Sequence, residues 1–110
     1  MLAPSIPESE EARVRALKSY SVLDTAPEVA FDELARLAGQ ICGTPIALIS
    51  LVDSHRQWFK AKVGLVEEQT SRDISFCGHS ILGHEVLVIE DARTDERFLD
   101  NPLVTGHPNV

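Results

Sequence analysis

The chain has 110 residues, of which 44% are hydrophobic and 25% charged, and a formal net charge of −7. This is the make-up of one globular domain rather than of a disordered segment. Its acidic balance argues against nucleic-acid backbones and anionic membranes, which call for clustered Lys and Arg. No apolar run reaches membrane-spanning length, and the start of the chain lacks the basic-then-apolar pattern of a secretion signal. With only Cys42 and Cys77 present, the expectation is a reducing, cytoplasmic compartment rather than a disulfide framework.

Met1 to Pro7 reads as a loose tail. Ser5 with Glu8 three residues on has the spacing of a capping box, and Glu8, Glu10 and Glu11 precede Arg15 and Lys18 as a helix dipole favours. Val14, Leu17 and Tyr20 give this first helix a narrow apolar stripe. It either lies across the domain, pairs with its own copy, or is a plain surface helix. After a connection at Ser21–Asp24, Thr25-Ala26-Pro27-Glu28 repeats the capping-box pattern. A helix over about Pro27–Cys42 follows, with Phe31, Leu34, Ala35, Leu37, Ala38, Ile41 and Cys42 at helical spacing. Gly43, followed by Pro45, is its stop.

Ile46–Val52 is an apolar, β-branched run too short for an ordinary helix, and is expected to be an interior strand buried on both faces. Asp53-Ser54-His55 carries turn chemistry. Gln57–Val63 then alternates, with Phe59, Ala61 and Val63 on one face and Trp58, Lys60 and Lys62 on the other, as in a half-buried hairpin partner. Leu65–Asp73 reads as a polar loop. A short helix over Phe76–Leu82 is capped by Ser75 or Asp73 and stopped by Gly83. Val86–Ile89 reads as a third strand. Asp91–Asp100 is a loop with a helical turn carrying Phe98 and Leu99 inward, and Asn101–Val110 is irregular.

Cys77-Gly78-His79 is the stretch that most invites catalytic chemistry. Residues two apart on a helix point about 200° from each other, so Cys77 and His79 face opposite ways and form neither a nucleophile–base dyad nor a shared metal site. No Cys-x-x-Cys occurs, and His55, His84 and His107 are scattered, so no metal site is expected. Cys77 fits a small buried hydrophobe. His79 fits either a hydrogen-bonded core residue or a ligand contact. Trp58, among lysines, is expected to pack against the first or a closing helix or to form a contact surface. Asp53, His55 and Arg56 read as a solvated turn.

Several stretches, in this order and spacing, resemble a known family. They are Tyr20–Glu28 leading into Phe31–Ala38, Pro45–Asp53, Arg56–Lys60, Ser75–Leu82 and Asp100–Val104. Together they are similar to GAF domains of bacterial signalling proteins, including sensor histidine kinases of two-component systems and the cyclases and phosphodiesterases of cyclic di-GMP. The resemblance covers about Glu8 to Val110. It implies an α+β fold: a central antiparallel sheet with helices on one face and a ligand pocket roofed by loops and short helices on the other. Phe59, Phe76, Cys77 and His79 are the implied pocket residues.

The implied function is a sensory and dimerisation module acting on an output domain, kinase or cyclase, outside this chain. The small-molecule ligand is unknown: the Asn-Lys…Phe…Asp-Glu signature of cyclic-nucleotide binders is absent, Gly78 separates Cys77 from the His that bilin-attaching members place directly after it, and no histidine is singled out for haem. The family continues past Val110 with two further strands and a closing helix. Residues 8–110 therefore read as an incomplete domain behind a flexible tail at 1–7, marginally stable and prone to associate. A thiol-dependent enzyme like the free methionine-sulfoxide reductases, and a dimerisation-only module, are the alternatives.

Overall fold

A computed structural model describes all 110 residues. The elements run α1 (Glu10–Ser19), α2 (Val29–Cys42), β1 (Ala47–Val52), β2 (Arg56–Val63), β3 (Gln69–Ser71), a 3-10 turn (Arg72–Ile74), α3 (Phe76–Ser80) and α4 (Pro102–Thr105). The three strands form one antiparallel sheet in the order β1-β2-β3. Helix α2 packs on one face of the β1–β2 hairpin, and α3 meets β1 from the other. The fold class is α+β, as expected.

The apolar run Ile46–Val52 does form a strand, but the expectation that it is interior is corrected. β1 is an edge strand whose residues are half-buried until Val52, whereas β2 is central and buried from Gln57 to Ala61. The reason lies in β3. Gln69, Thr70 and Ser71 carry no apolar signal, yet they pair with Trp58, Gln57 and Arg56 and so cover the far edge of β2. Backbone hydrogen bonding, not side-chain character, makes this a strand. The strand expected at Val86–Ile89 does not form, and Val86 and Val88 are exposed. No neighbouring strand offers them a ladder, and β-propensity without a partner holds nothing.

A β-bulge changes the expected faces of β2. The register runs Ile49↔Ala61 and then Ser50↔Phe59, leaving Lys60 without an opposite number. Cross-strand partners share a face. Phe59 therefore sits with Ser50 on the α3 side, while Ala61 and Trp58 sit with Ile49 and Leu51 on the α2 side. The extra residue breaks the alternation that sequence spacing implied. At the end of the hairpin Gly64 has φ +76°, and a Cβ there would come 1.9 Å from the Pro45 carbonyl oxygen. Only glycine closes this turn without displacement.

Both capping boxes read from sequence are absent. α1 begins at Glu10, whose N–H bonds the Pro7 carbonyl at 3.0 Å, and Ser9 at its N-cap makes no side-chain cap bond. α2 has Glu28 at its N-cap, likewise without a cap bond, and Thr25 is engaged elsewhere. The C-terminal stop at Gly43 is as expected: φ is +62° and its N–H returns to the Gly39 carbonyl. Helix α2 approaches the sheet through its smallest residues. Ala35 and Gly39 are buried, and a Cβ at Gly39 would lie 3.5 Å from that of Ala47. Leu34, Leu37 and Ile41 remain exposed, so part of the expected apolar face is unused within this chain.

α3 ends at Ser80, short of Leu82, with Ser75 as its cap: the hydroxyl accepts the Gly78 N–H at 3.0 Å and donates to the Arg72 carbonyl at 2.7 Å. The region expected to be irregular contains α4. Asn101 caps it by accepting the Leu103 N–H at 2.9 Å, while its own amide donates to the Ile74 carbonyl at 2.9 Å. Phe98 is inward as expected, with no exposed surface, but Leu99 is exposed. α1 is tied to the hairpin by ions. Glu10 bridges Arg13 and the buried Arg72, and Arg13 also donates to the Val52 carbonyl.

Candidate functional site

Two places in the structure concentrate side chains that the fold alone does not require. The first is the α3 side of the sheet, where the four sequence-predicted pocket residues lie. Phe76 stacks on Phe98 with ring centroids 4.3 Å apart, and His79 meets Phe98 edge-on at 5.0 Å. His79 Nε2 lies 3.1 Å from the Leu2 carbonyl. Cys77 turns the other way and accepts a hydrogen bond from the Ser50 hydroxyl, with Sγ 3.1 Å from Oγ. Phe59, the cross-strand partner of Ser50, is buried on that same face.

The structure thus brings Phe76 and His79 together around Phe98, and Cys77 and Phe59 together around Ser50. Cys77 and His79 diverge as the helical spacing predicts. The opening residues close this region from above. The Met1 ammonium pairs with Asp100, and Pro4 is buried against Gly78, where a Cβ would come 2.6 Å from the proline Cγ. Phe98 was legible as an inward residue but not as the aromatic hub, because its partners are about twenty residues away in sequence.

The second place is on the opposite, α2 side. A cleft of about 400 Å³ is walled by Leu17 of α1, Tyr20, Val22 and Thr25 of the connection, Phe31 of α2, and Ile49 and Leu51 of β1. Lys60 and Glu28 are its charged members. A smaller cleft of about 300 Å³ adjoins it at Thr25 and Lys60 and is bordered by Trp58, Phe59 and Asp32. Neither is lined by Phe76, Cys77 or His79.

The alternation puts Lys60 on a polar face with Trp58 and Lys62. It is instead buried, because it shares the Trp58 side of β2, over which the connection between α1 and α2 folds. Its ammonium donates to Thr25 Oγ1 and the Ala26 carbonyl, each at 2.7 Å, and pairs with Glu28 Oε2 at 2.6 Å. It also lies 5.6 Å from the Phe31 ring centroid. Three donors thus meet three oxygens, as a buried ammonium requires. Nothing in the period-two pattern distinguishes Lys60 from the half-buried Lys62.

The same connection is held a second time. Arg56 forms a two-pronged pair with Asp24 at 2.8 Å per bond and also reaches Asp53 and Gln69. Its guanidinium holds the Asp24 carboxyl below the ordinary range. Arg56 is not the freely solvated turn residue that its neighbours suggest, and Trp58 beside it is buried on the α2 face. No group of three or more His, Cys, Asp or Glu side chains comes together in a metal-holding arrangement. No helix is long and apolar enough to cross a membrane.

Comparison with known proteins places this geometry in context. The family model described as GAF domain matches residues 26–110. Across all 110 residues the chain is 42% identical to a cyclic di-GMP phosphodiesterase of Pseudomonas aeruginosa. It spans 19% of that relative's length.

Proposed function

The chain belongs to the GAF domain family, and from that premise we propose that it is a sensory, non-catalytic module of a bacterial signalling protein that works in cyclic di-GMP metabolism. One observation carries the reading: the identity of 42% extends over every residue of this chain, yet the matched segment is 19% of a phosphodiesterase. A segment of that size, matching a domain family of its own, supports a regulatory role beside a separate catalytic domain. It binds a small molecule and shifts the population of conformers felt by an attached output domain, kinase or cyclic di-GMP enzyme. The α3 face, with Phe76, Cys77, His79 and Phe59 gathered around Phe98 and Ser50, is the ligand side.

The module works as a cytoplasmic homodimer. Leu34, Leu37 and Ile41, at helical spacing on the exposed side of α2, supply an apolar strip for a second copy. A thiol enzyme is disfavoured because Cys42 belongs to α2 and Cys77 to α3, on opposite faces of the sheet. Native mass spectrometry of the purified chain tests the reading. A dimer carrying a small molecule, with no hydrolysis of added cyclic di-GMP, is the expected result. A bare monomer, or turnover of cyclic di-GMP by this chain alone, overturns it.

A further inference from the structure

We propose that the cleft beside Lys60 is a second ligand site, on the side of the sheet away from α3, and that it takes a small apolar carboxylate. A volume of about 400 Å³ falls within the span of small-ligand sites. The walls are aliphatic and aromatic, from Leu17, Val22, Phe31, Ile49 and Leu51. One cation stands among them, the side chain of Lys60, only 1% exposed. A mostly apolar chamber with one buried cation is the arrangement that orients an amphipathic anion.

The three bonds of that ammonium are unequal. Thr25 Oγ1 and the Ala26 carbonyl hold it from the connection itself. The third partner, Glu28, has a side chain 58% exposed. A carboxylate with that much water access is free to rotate outward, but the ammonium it leaves is buried, so the exchange needs another anion in its place. Glu28, 2.6 Å from the Lys60 ammonium, occupies the position an incoming carboxylate would take. Exchange keeps the buried ammonium paired throughout, so no uncompensated charge is left behind. The gain over Glu28 is burial of the ligand's hydrocarbon, roughly 0.8 kcal/mol for each methylene covered.

This goes beyond the sensory reading and stands apart from the α3 face. The test is titration of the purified chain with octanoate, followed by amide chemical shifts, with 1-octanol as the uncharged control. Saturable shifts with octanoate are expected at residues 22–31 and on β1, with at least tenfold weaker effects from octanol. Glu28→Gln, which removes the competing carboxylate, should tighten octanoate about threefold, and Lys60→Met should abolish the preference for the acid. If Lys60→Met fails to fold, the Glu28→Gln comparison decides. Equal binding of acid and alcohol, shifts confined to α3, or no tightening in Glu28→Gln each overturns the proposal. A small molecule retained in native mass spectrometry while octanoate does not bind would sink this site and leave the sensory reading standing.

Discussion

Glu10 shows how much one side chain changes when its partners are fixed. Hydrogen bonds from Arg72 first, then Arg13, lower its pKa from 4.5 to about 2. A carboxyl depressed in the folded state adds stability that is present above its unfolded pKa and fades as pH falls toward the folded value. Glu10→Gln should therefore cost about 2–3 kcal/mol at pH 7, because it strands the buried Arg72. The gap between mutant and parent should close as pH falls from about 4.5 to 2. Urea titrations across that range would show it, and a constant gap would refute the account. Gly64→Ala is a second case, since φ of +76° and a carbonyl oxygen 1.9 Å from the added carbon compound each other. It should destabilise by more than about 2 kcal/mol in the same titration. Glycine at 64 was visible in the sequence, but the proximity of Pro45 was not. Lys60 is the clearest example of what stayed hidden. A lysine between Phe59 and Ala61 fits solvent exposure, and only the connection folded over it, with Thr25, Ala26 and Glu28 as partners, buries it.

Elements marked by apolar spacing and by a glycine stop were legible: α2, the β1–β2 hairpin and the start of α3 lie where the residues put them. Those decided by pairing were not. Gln69-Thr70-Ser71 has nothing to mark it as a strand, while Val86–Ile89 has every mark of one and no ladder to join. The most apolar segment reads as the interior one, yet a strand's place in a sheet depends on both of its edges, and β3 settles that for β2. Amide hydrogen exchange measures the consequence. The β2 amides paired on either side should be the slowest in the chain, and the β1 amides facing the open edge should exchange at least tenfold faster. Comparable protection across β1 would mean that its edge is covered in solution. The implied pocket was legible as a set of neighbours on α3 and β2. The Lys60 cleft was not, since it is assembled from α1, the connection, α2 and two strands.

For the molecule as a whole, the balance is between a small sheet and an apolar surface it leaves uncovered. Leu34, Leu37 and Ile41 on α2, with Val29 nearby, are all more than half exposed. Water contact at such a strip favours association. Sedimentation velocity should show a concentration-dependent dimer, and Leu37→Glu with Ile41→Glu should shift it to monomer while leaving the far-ultraviolet circular dichroism unchanged. A monomer at every concentration for the parent chain would refute this use of the strip.

Arg56 and Lys60 both hold the short crossing between the two long helices, one at Asp24 and the other at Thr25, Ala26 and Glu28. That crossing already bends through Ser21 and Asp24, both with positive φ. Clamped from the central ribbon, it fixes how α1 and α2 are set against each other. Unfastening the Lys60 grip turns the crossing into a hinge, and spin labels on the two helices would then report a broadened separation. Whatever loosens that clasp leaves α1 held to the body of the protein by Glu10 and Arg13.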